Sequence, residues 1–280
     1  MLRGHALVRP LASTQYRAMA KYTKRFVLIA APGGVVAIAA CAAGGLYLLA
    51  SSTEQWEPVP KVVAPAASPG APPAGALVLF GGTDLSQWVA SKDKGPAGWI
   101  VADGVVTVNK PSGNIETRRN FRNFQLHLEW RVPANITGSG QGRGNSGVFL
   151  ASTGAGDAGY EVQILDAWRN PTYVNGMAGA VYKQHAPLAN PARPPGKWQS
   201  YDIAWTAPAF AANGTLKSPA RVTVLFNGVL VQDNFALVGE TKFIGTPSYT
   251  AHGKAPIMLQ AHPDPSAPVS FRNMWVRERP

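Results

Sequence analysis

The stretch from Tyr160 to Asp166 sets polar side chains into a strand-like apolar frame. Because side chains alternate between the two faces of a strand, Glu161 and Gln163 should project to one side and the apolar residues between them to the other. Asp166 has the opposite parity and joins them only where a bulge shifts the register. Carboxylates beside an amide suit both sugar recognition and acid–base chemistry, so this stretch predicts a binding or catalytic site.

Two upstream stretches have the same character. Glu129 and Arg131 flank Trp130 and would share one strand face, and Asn145 and Ser146 open a segment that then turns apolar. A single charged pair on a strand is usually a solvated surface. Three polar-faced strands in succession instead predict the wall of one polar cleft, with Glu129 and Arg131 beside or opposite Glu161.

The composition is that of a globular protein with a large core and a lightly charged surface, since 46% of the 280 residues are hydrophobic and 15% are charged. The formal net charge is +11, but six of the 26 basic residues lie within residues 1–25, where no acidic residue occurs. The remaining 20 basic residues face 15 acidic ones and form no basic helix or Lys/Arg block. Nucleic acid is therefore not an expected partner.

The N-terminal part of the chain predicts membrane targeting. Residues 1–25 form a basic segment, and residues 26–50 contain no charged residue, which gives them the length of a membrane span with a positive inner flank. Three forms remain open. The segment could be an uncleaved helical anchor, a signal cleaved near Ala50, or a lipoprotein signal, because Ile38–Cys41 resembles a lipobox.

Residues 51–75 are rich in Pro and Ala and predict an extended linker, followed by one folded domain over residues 76–280. Cys41 is the single cysteine, so the folded domain has no disulfide and no cysteine nucleophile or ligand. The expected location is extracytoplasmic, in a bacterial cell envelope. The domain would be membrane-anchored through the N-terminal segment, periplasmic or secreted.

From residue 77 onward the pattern is one of strands and turns. Short apolar or alternating runs occur at Leu77–Phe80, Trp99–Val101, Val105–Val108, Phe124–Val132, Gly147–Ala151, Tyr160–Leu165, Ala180–Tyr182, Trp198–Trp205, Arg221–Phe226, Val229–Phe235, Ile257–Gln260 and Val269–Val276. Asp103-Gly104 and Asn227-Gly228 are two-residue turn signals. The pattern predicts an all-β sandwich of ten or more strands, most simply a jelly roll whose curved sheet presents the polar residues on a concave face.

Seven motifs carry a family resemblance. They are Leu79–Trp88, Trp99–Gly104, Phe124–Arg131, Asn145–Leu150, Tyr160–Asp166, Gly196–Asp202 and Phe271–Asn273. In this order they resemble the 3-keto-disaccharide hydrolase family over about residues 76–279. The resemblance implies a concanavalin A-like jelly roll and the cleavage of glycosides already oxidised to a ketone at sugar carbon 3.

By the resemblance, six residues fall on the family's cleft-lining positions: Glu129, Arg131, Asn145, Glu161, Gln163 and Asp166. We add Tyr182, Gln260 and His262 to this predicted site. Catalytic roles fall to Glu161, Asp166, Glu129 and His262, and substrate-binding roles to Arg131, Asn145, Gln163, Tyr182 and Gln260. The chain departs from the family pattern after Gln260. Pro263 stands where the family often has glycine, and the insertion-like Asp264-Pro265-Ser266-Ala267 follows.

The chemistry of a 3-keto sugar accounts for the acidic residues. The ketone acidifies the hydrogen on carbon 2, so a carboxylate can remove it while Arg131 or a bound divalent cation stabilises the enolate oxygen. A second acid or His262 would protonate the leaving oxygen on carbon 1, and water would add afterwards. Conventional hydrolysis would need two carboxylates across the bond. Gln163 argues against it, because an amide stands where a glucanase strand carries its middle acid.

Two other function classes compete with an enzyme acting on carbohydrate. One is a non-catalytic carbohydrate-binding jelly roll of the cell envelope, because a fold does not fix a function. The other is a structural envelope domain. A binding module needs stacking aromatics and amides, so several converging carboxylates would favour catalysis. No cofactor is expected with certainty, and a divalent cation is one option.

Overall fold

The computed structural model describes residues 66–280, in which fifteen strands and three short 3-10 turns are found. The strands are β1 (Leu77–Phe80), β2 (Trp88–Ala90), β3 (Ile100–Ala102), β4 (Val105–Thr107), β5 (Ile115–Thr117), β6 (Phe124–Arg131), β7 (Ser146–Ser152), β8 (Gly159–Ile164), β9 (Gln199–Thr206), β10 (Ala209–Phe210), β11 (Leu216–Ser218), β12 (Arg221–Phe226), β13 (Val229–Ala236), β14 (Met258–Leu259) and β15 (Ser270–Glu278). The 3-10 turns are Lys110–Ser112, Gly140–Gly142 and Val174–Gly176.

Two antiparallel sheets form the sandwich. The larger has eight strands in the order β13-β12-β9-β6-β15-β4-β3, with β1 also paired to β15. The smaller has five strands in the order β2-β5-β14-β7-β8. Strands β10 and β11 form a separate two-stranded ribbon. The predicted all-β sandwich is confirmed, and the arrangement is consistent with a jelly roll.

The core lies between the inner faces of the two sheets. Strand β9 alternates strictly between buried and half-buried residues, and its buried Tyr201 and Trp205 face inward. Trp205 packs on Tyr160 of β8, with ring centroids 5.4 Å apart. The Tyr201 hydroxyl donates to the Gln163 carbonyl oxygen at 2.7 Å. These contacts join the large sheet to the small one and fix which face of each strand points to the core.

The two predicted hairpin turns are present. Asn227 and Gly228 join β12 to β13 with φ of 51° and 80°, and Asp103 and Gly104 join β3 to β4 with φ of 51° and 74°. Two successive positive φ values match the twist of a two-residue hairpin, and Asn, Asp and Gly adopt them at least cost.

Some sequence-based strand predictions were wrong. Residues 180–182 form an isolated bridge at Val181 rather than a strand. The short strands β2, β5, β10 and β11 were missed, because runs of two or three residues carry no clear alternation. The predicted basic segment, membrane segment and most of the linker lie outside the described residues. Within residues 66–280 there is no helix with the length and apolar character needed to cross a membrane.

Candidate active site

The polar side chains of β8 form the floor of a pocket on the outer face of the small sheet, the face turned away from the core. Tyr160 and Val162 face the core, so Glu161 and Gln163 face outward, as the alternation predicted. Both are nevertheless buried, because loops cover this end of the sheet. The pocket has a volume of about 270 Å³, and its lining residues are Asn145, Asp157, Glu161, Gln163, Tyr182, Thr241, Phe243, Gln260 and His262.

Two loop segments close the free edge of β8 and build the pocket wall. The Tyr182 backbone nitrogen donates to the Glu161 carbonyl oxygen at 3.2 Å, which places the tyrosine beside the glutamate. The Thr241 backbone nitrogen donates to the Gly159 carbonyl oxygen at 2.7 Å, and the Thr241 hydroxyl accepts from the Glu161 backbone nitrogen at 3.0 Å. These bonds satisfy backbone hydrogen-bonding groups that would otherwise be open along the edge of β8.

Glu161 is a buried carboxyl group with the properties of a proton-transfer residue. Its side chain is 5% exposed. Burial, together with the smaller effect of the nearby Asp157 charge, raises the pKa of Glu161 to about 8. A carboxyl group that titrates near neutral pH can hold a proton or accept one under working conditions.

The Gln163 amide can serve either protonation state of Glu161. When its Nε2 donates to Gln141 Oε1 (3.1 Å) and Asn145 Oδ1 (3.2 Å), its oxygen faces Glu161 and can accept from a protonated carboxyl group. With the amide turned over, Nε2 donates to Glu161 Oε1 at 2.9 Å and suits an ionised carboxylate. The Gln163 amide therefore supports the Glu161 carboxyl group in either protonation state.

Gln260 brings an unused acceptor to the pocket. Its Nε2 donates to Asp157 Oδ2 at 2.9 Å, and its backbone nitrogen donates to the Gly147 carbonyl oxygen at 3.0 Å. Its Oε1 is buried and has no hydrogen-bond partner within residues 66–280. Leaving a buried acceptor unpaired costs stability, so this oxygen is suited to a ligand hydroxyl group.

His262 is held at the pocket through one ring nitrogen. Its Nδ1 lies 3.3 Å from Asp264 Oδ2 and 3.2 Å from the Asp264 backbone nitrogen. Asp264 also accepts from Lys110 Nζ at 3.0 Å and from the Ser266 backbone nitrogen at 2.9 Å. Although burial opposes it, hydrogen bonds from His262, Ser266 and Lys110 lower the pKa of Asp264 to about 2. The insertion-like stretch thus supplies a carboxylate that orients His262, with Nε2 left for the pocket.

Aromatic residues form the other side of the pocket. The Tyr182 hydroxyl lies 2.6 Å from the Tyr173 hydroxyl. Burial and the hydrogen bond with Tyr173 raise the pKa of Tyr182 above its ordinary value, so it remains a neutral hydrogen-bond donor. Phe243 lies at the pocket mouth and is 69% exposed, with Lys183 Nζ 4.2 Å from its ring centroid. A ring in this position can stack on a sugar.

Glu129 and Arg131 were predicted in the same cleft, and this placement was wrong. Trp130 faces the core between the two sheets, where its ring centroid lies 5.7 Å from that of Tyr201. Glu129 and Arg131 have the opposite parity and therefore face the outer surface of the large sheet. They therefore lie on the opposite side of the sandwich from Glu161. Arg131 packs over the Trp198 ring at 4.5 Å.

Glu129 belongs to an ion-pair network on that far surface. Arg272 Nε donates to Glu129 Oε2 at 2.7 Å, and Asn273 Nδ2 donates to Glu129 Oε1 at 2.9 Å. Burial opposes ionisation, but the hydrogen bonds from Asn273 and Arg272 outweigh it and lower the pKa of Glu129. The carboxylate is engaged in structural contacts.

Asp166 was predicted as catalytic, but it is not among the residues that line the pocket. Its side chain is 2% exposed and pairs with Arg143, with Oδ2 2.6 Å from Nη2. Its Oδ1 accepts from the Trp168 backbone nitrogen at 3.0 Å. Asp166 follows the end of β8 and holds a turn together.

Sequence reasoning missed Asp157, Thr241 and Phe243. All three lie in loops, and only the packing of those loops onto β8 brings them to the pocket. The glycines around Asp157 marked its loop, but no local pattern showed where that loop lies. Within residues 66–280, no three His, Cys, Asp or Glu side chains form a group that could hold a metal ion.

Comparison with known proteins gives one family and one curated relative. The family model of the 3-keto-alpha-glucoside-1,2-lyase-like domain matches residues 75–277. A 3-keto-disaccharide hydrolase of Bacteroides thetaiotaomicron is 24% identical in an alignment of 158 positions that covers 46% of this chain and 52% of that protein. The chain therefore spans about half the length of the curated relative that it matches.

Solved structures from Parabacteroides distasonis have the same architecture. A crystal structure of a candidate glycosyl hydrolase is 50% identical, covers 82% of this chain and 96% of that chain, and has a TM-score of 0.75. A second candidate glycosyl hydrolase is 22% identical, covers 74% of this chain and 95% of that chain, and has a TM-score of 0.54. The second likeness shows the fold alone.

Proposed function

The chain belongs to the family of 3-keto-alpha-glucoside-1,2-lyase-like domains, and we propose that its pocket cleaves 3-keto-glycosides, 3-keto-disaccharides among them. The family and its glycosyl hydrolase-like relatives indicate an enzyme acting on glycosides. The proposal adds the reaction, an elimination across carbons 1 and 2 followed by hydration, on a concanavalin A-like jelly roll. The observation that carries it is a single buried carboxyl group, Glu161, in a pocket whose other lining residues are amides, hydroxyl groups, one oriented histidine, the exposed Asp157 and Phe243.

Glu161 is the proposed base. The 3-ketone acidifies the hydrogen on carbon 2, and an ionised Glu161 takes that proton. The electron pair of the broken C–H bond forms the carbon 2–carbon 3 double bond of an enolate. The pKa of Glu161 is raised to about 8. This value is closer to the pKa of a ketone α-hydrogen than the pKa of an ordinary carboxyl group is, which favours proton transfer.

Neutral hydrogen-bond donors and acceptors hold the sugar and its enolate oxygen. Tyr182 supplies a hydroxyl donor, and the Asn145 and Gln163 amides lie beside Glu161 on the pocket floor. The unpaired Oε1 of Gln260 is placed to accept from a sugar hydroxyl group. Donors directed at a developing oxyanion stabilise the transition state more than the ground state.

His262 is the proposed acid at the leaving oxygen. As the enolate collapses, a double bond forms between carbons 1 and 2, the bond from carbon 1 to the leaving oxygen breaks, and His262 Nε2 gives its proton to that oxygen. Asp264 holds the ring through Nδ1. Water then adds across the new double bond and releases a 3-keto sugar.

The decisive test compares a 3-keto-glucoside with its parent glucoside. The purified domain should cleave the oxidised substrate far faster, because only the ketone acidifies carbon 2. Equal rates on both would instead indicate a two-carboxylate hydrolase. If neither is cleaved and Glu161→Gln binds sugar as tightly as the wild type, the domain is a carbohydrate-binding module.

We also propose that the domain acts outside the cytoplasmic membrane, tethered by its N-terminal segment. The support is the order of a basic flank, an uncharged run over residues 26–50 and a Pro/Ala-rich linker. Cell fractionation should find the full chain with membranes, and replacing Cys41 should release it only if the anchor is a lipid. Recovery in the cytoplasmic fraction with an intact N-terminus would contradict the proposal.

A further inference from the structure

A second pocket lies on the same outer face of the small sheet, beyond the candidate active site. Its volume is about 490 Å³, and its lining includes Val89, Glu116, Arg118, Asn120, Ser152 and Pro256. It belongs to strands β2, β5 and β7 and their loops, whereas the active-site floor belongs to β8.

Strand register places the two pockets on one line. Val89 pairs with Glu116, Glu116 with Met258, Met258 with Phe149, and Phe149 with Glu161. Directly paired residues of antiparallel strands point to the same face, so this row crosses the sheet from one pocket to the other. Three strand spacings separate Glu116 from Glu161, or roughly 14 Å. A single pyranose cannot span that distance, but an oligosaccharide can.

The second pocket offers free polar groups above a small apolar floor. Asn120 and the terminal nitrogens of Arg118 are exposed and make no hydrogen bond within residues 66–280, while Arg118 Nε is fixed by the Ser86 carbonyl oxygen at 2.8 Å. Val89 and Pro256 supply the apolar contact. A guanidinium group and an amide beside apolar surface suit the hydroxyl groups and ring face of a sugar.

Two side chains hold the carboxylate of this pocket in place. Glu116 is 5% exposed, and its oxygens accept from Lys94 Nζ at 2.7 Å and from the Ser91 hydroxyl at 3.1 Å. Lys94 has a φ of 61°, a left-handed conformation that non-glycine residues rarely adopt. Residues in such conformations are concentrated at ligand sites.

A polar bridge divides the two pockets. Asp157 accepts from Asn114 Nδ2 at 2.8 Å through Oδ1 and from Gln260 Nε2 at 2.9 Å through Oδ2. Asn114 Nδ2 also lies 3.6 Å from Met258 Sδ, so the bridge stands over the middle of the row. Gln260 and Asp157 themselves line the active-site pocket.

We propose that the second pocket is a subsite for a further sugar residue of an oligosaccharide whose 3-keto residue lies in the candidate active site. The inference rests on the proposed function. The 3-keto residue is then the non-reducing end, and the leaving oligosaccharide runs from carbon 1 over the Asp157 bridge toward Arg118 and Asn120. The preferred substrate class is a glycoside longer than a disaccharide.

Steady-state kinetics on a substrate series tests the subsite. The substrates are maltose, maltotriose and maltopentaose, each oxidised at carbon 3 of the non-reducing glucosyl residue. KM and kcat are measured on each substrate for wild type, Arg118→Ala and Asn120→Ala. The control is Arg122→Ala, an exposed arginine that does not line the pocket. Wild type should show a KM for the pentasaccharide about tenfold below that for the disaccharide, the effect of one charge-assisted hydrogen bond.

Both pocket variants should lose most of that chain-length advantage while disaccharide turnover stays as in the control. Equal KM values across the series in wild type, or an unchanged advantage in both variants, would overturn the subsite while leaving the proposed reaction intact. If no 3-keto substrate is cleaved, the proposed reaction is refuted. Calorimetric binding of maltose and maltopentaose then decides: a length advantage lost in Arg118→Ala supports the subsite, and no advantage overturns it.

Discussion

A carboxyl oxygen of Glu161 lies 2.9 Å from the side-chain amide of Gln163, two residues away on the same face of β8. Both side chains are buried, and the amide can either accept from a protonated Glu161 or donate to an ionised one. The pair therefore accommodates a proton that comes and goes, which a proton-transfer site requires.

Glu161 and Glu129, which the sequence predicted in one cleft, should respond differently when each is changed to Gln. Glu161→Gln removes the proposed base and should lower kcat/KM on a 3-keto-glucoside by about 10²-fold or more. Glu129→Gln is the matched control, because Glu129 lies on the far surface, and it should retain near wild-type kcat/KM. Equal losses in the two variants would contradict the assignment of the active site to the small sheet.

The raised pKa of Glu161 predicts how stability depends on pH. The group titrates near 4.5 when unperturbed and near about 8 in the folded protein, so between these values the native state binds more protons than the unfolded state. The contribution of Glu161 to the free energy of unfolding is complete below pH 4.5 and is lost as the pH rises through about 8.

Unfolding free energies by urea denaturation, measured from about pH 5 to about pH 9, should therefore fall more steeply with pH in wild type than in Glu161→Gln. The glutamine variant lacks the titrating group and serves as the reference. Parallel pH profiles would show that Glu161 titrates near its ordinary value in the folded protein.

Removing the proposed acid should matter only when the leaving group needs a proton. His262→Ala should lower kcat by about 10²-fold on a 3-keto-disaccharide, whose leaving alkoxide is strongly basic. On 4-nitrophenyl 3-keto-glucoside the loss should be small, because nitrophenolate leaves without protonation. His252→Ala is the control, because His252 is hydrogen-bonded to the Tyr160 hydroxyl and is not among the residues that line the pocket. Equal losses on both substrates would assign His262 to binding or folding.

A methyl group at Gly147 should disturb the site without disturbing the fold. A Cβ at this position would clash with Glu161 Oε1 and lie 3.0 Å from its Cδ, so the carboxyl group must move. Gly147→Ala should lower kcat/KM on a 3-keto-glucoside by roughly 10²-fold, the cost of a misplacement of about 1 Å. Gly142→Ala, where a Cβ would meet nothing within 4 Å, should leave kcat/KM unchanged.

The two variants should also be compared by thermal unfolding. A large activity loss in Gly147→Ala with a melting temperature close to that of Gly142→Ala would support a positional effect on Glu161. Loss of cooperative unfolding in Gly147→Ala would instead mean that the glycine is needed for the sheet itself.

The sequence by itself determined the fold class, most strands and the faces of β8. These follow from local rules: alternation sets which side chains share a strand face, and Asn-Gly or Asp-Gly pairs set tight hairpins. The seven ordered motifs also sufficed to identify the family, which the family model confirms over residues 75–277. Glu161, Gln163, Asn145, Tyr182, Gln260 and His262, all predicted for the site, line one pocket.

Only the tertiary structure decided which strand faces meet. Parity shows that Glu129 and Arg131 share a face and that Glu161 and Gln163 share another, but parity does not show which sheet each strand joins. Because β6 lies in the large sheet and β8 in the small one, and both turn their aromatic residues to the common core, the two polar faces point in opposite directions. Asp157, Thr241 and Phe243 reach the pocket through loop packing, a long-range property that no local pattern encodes.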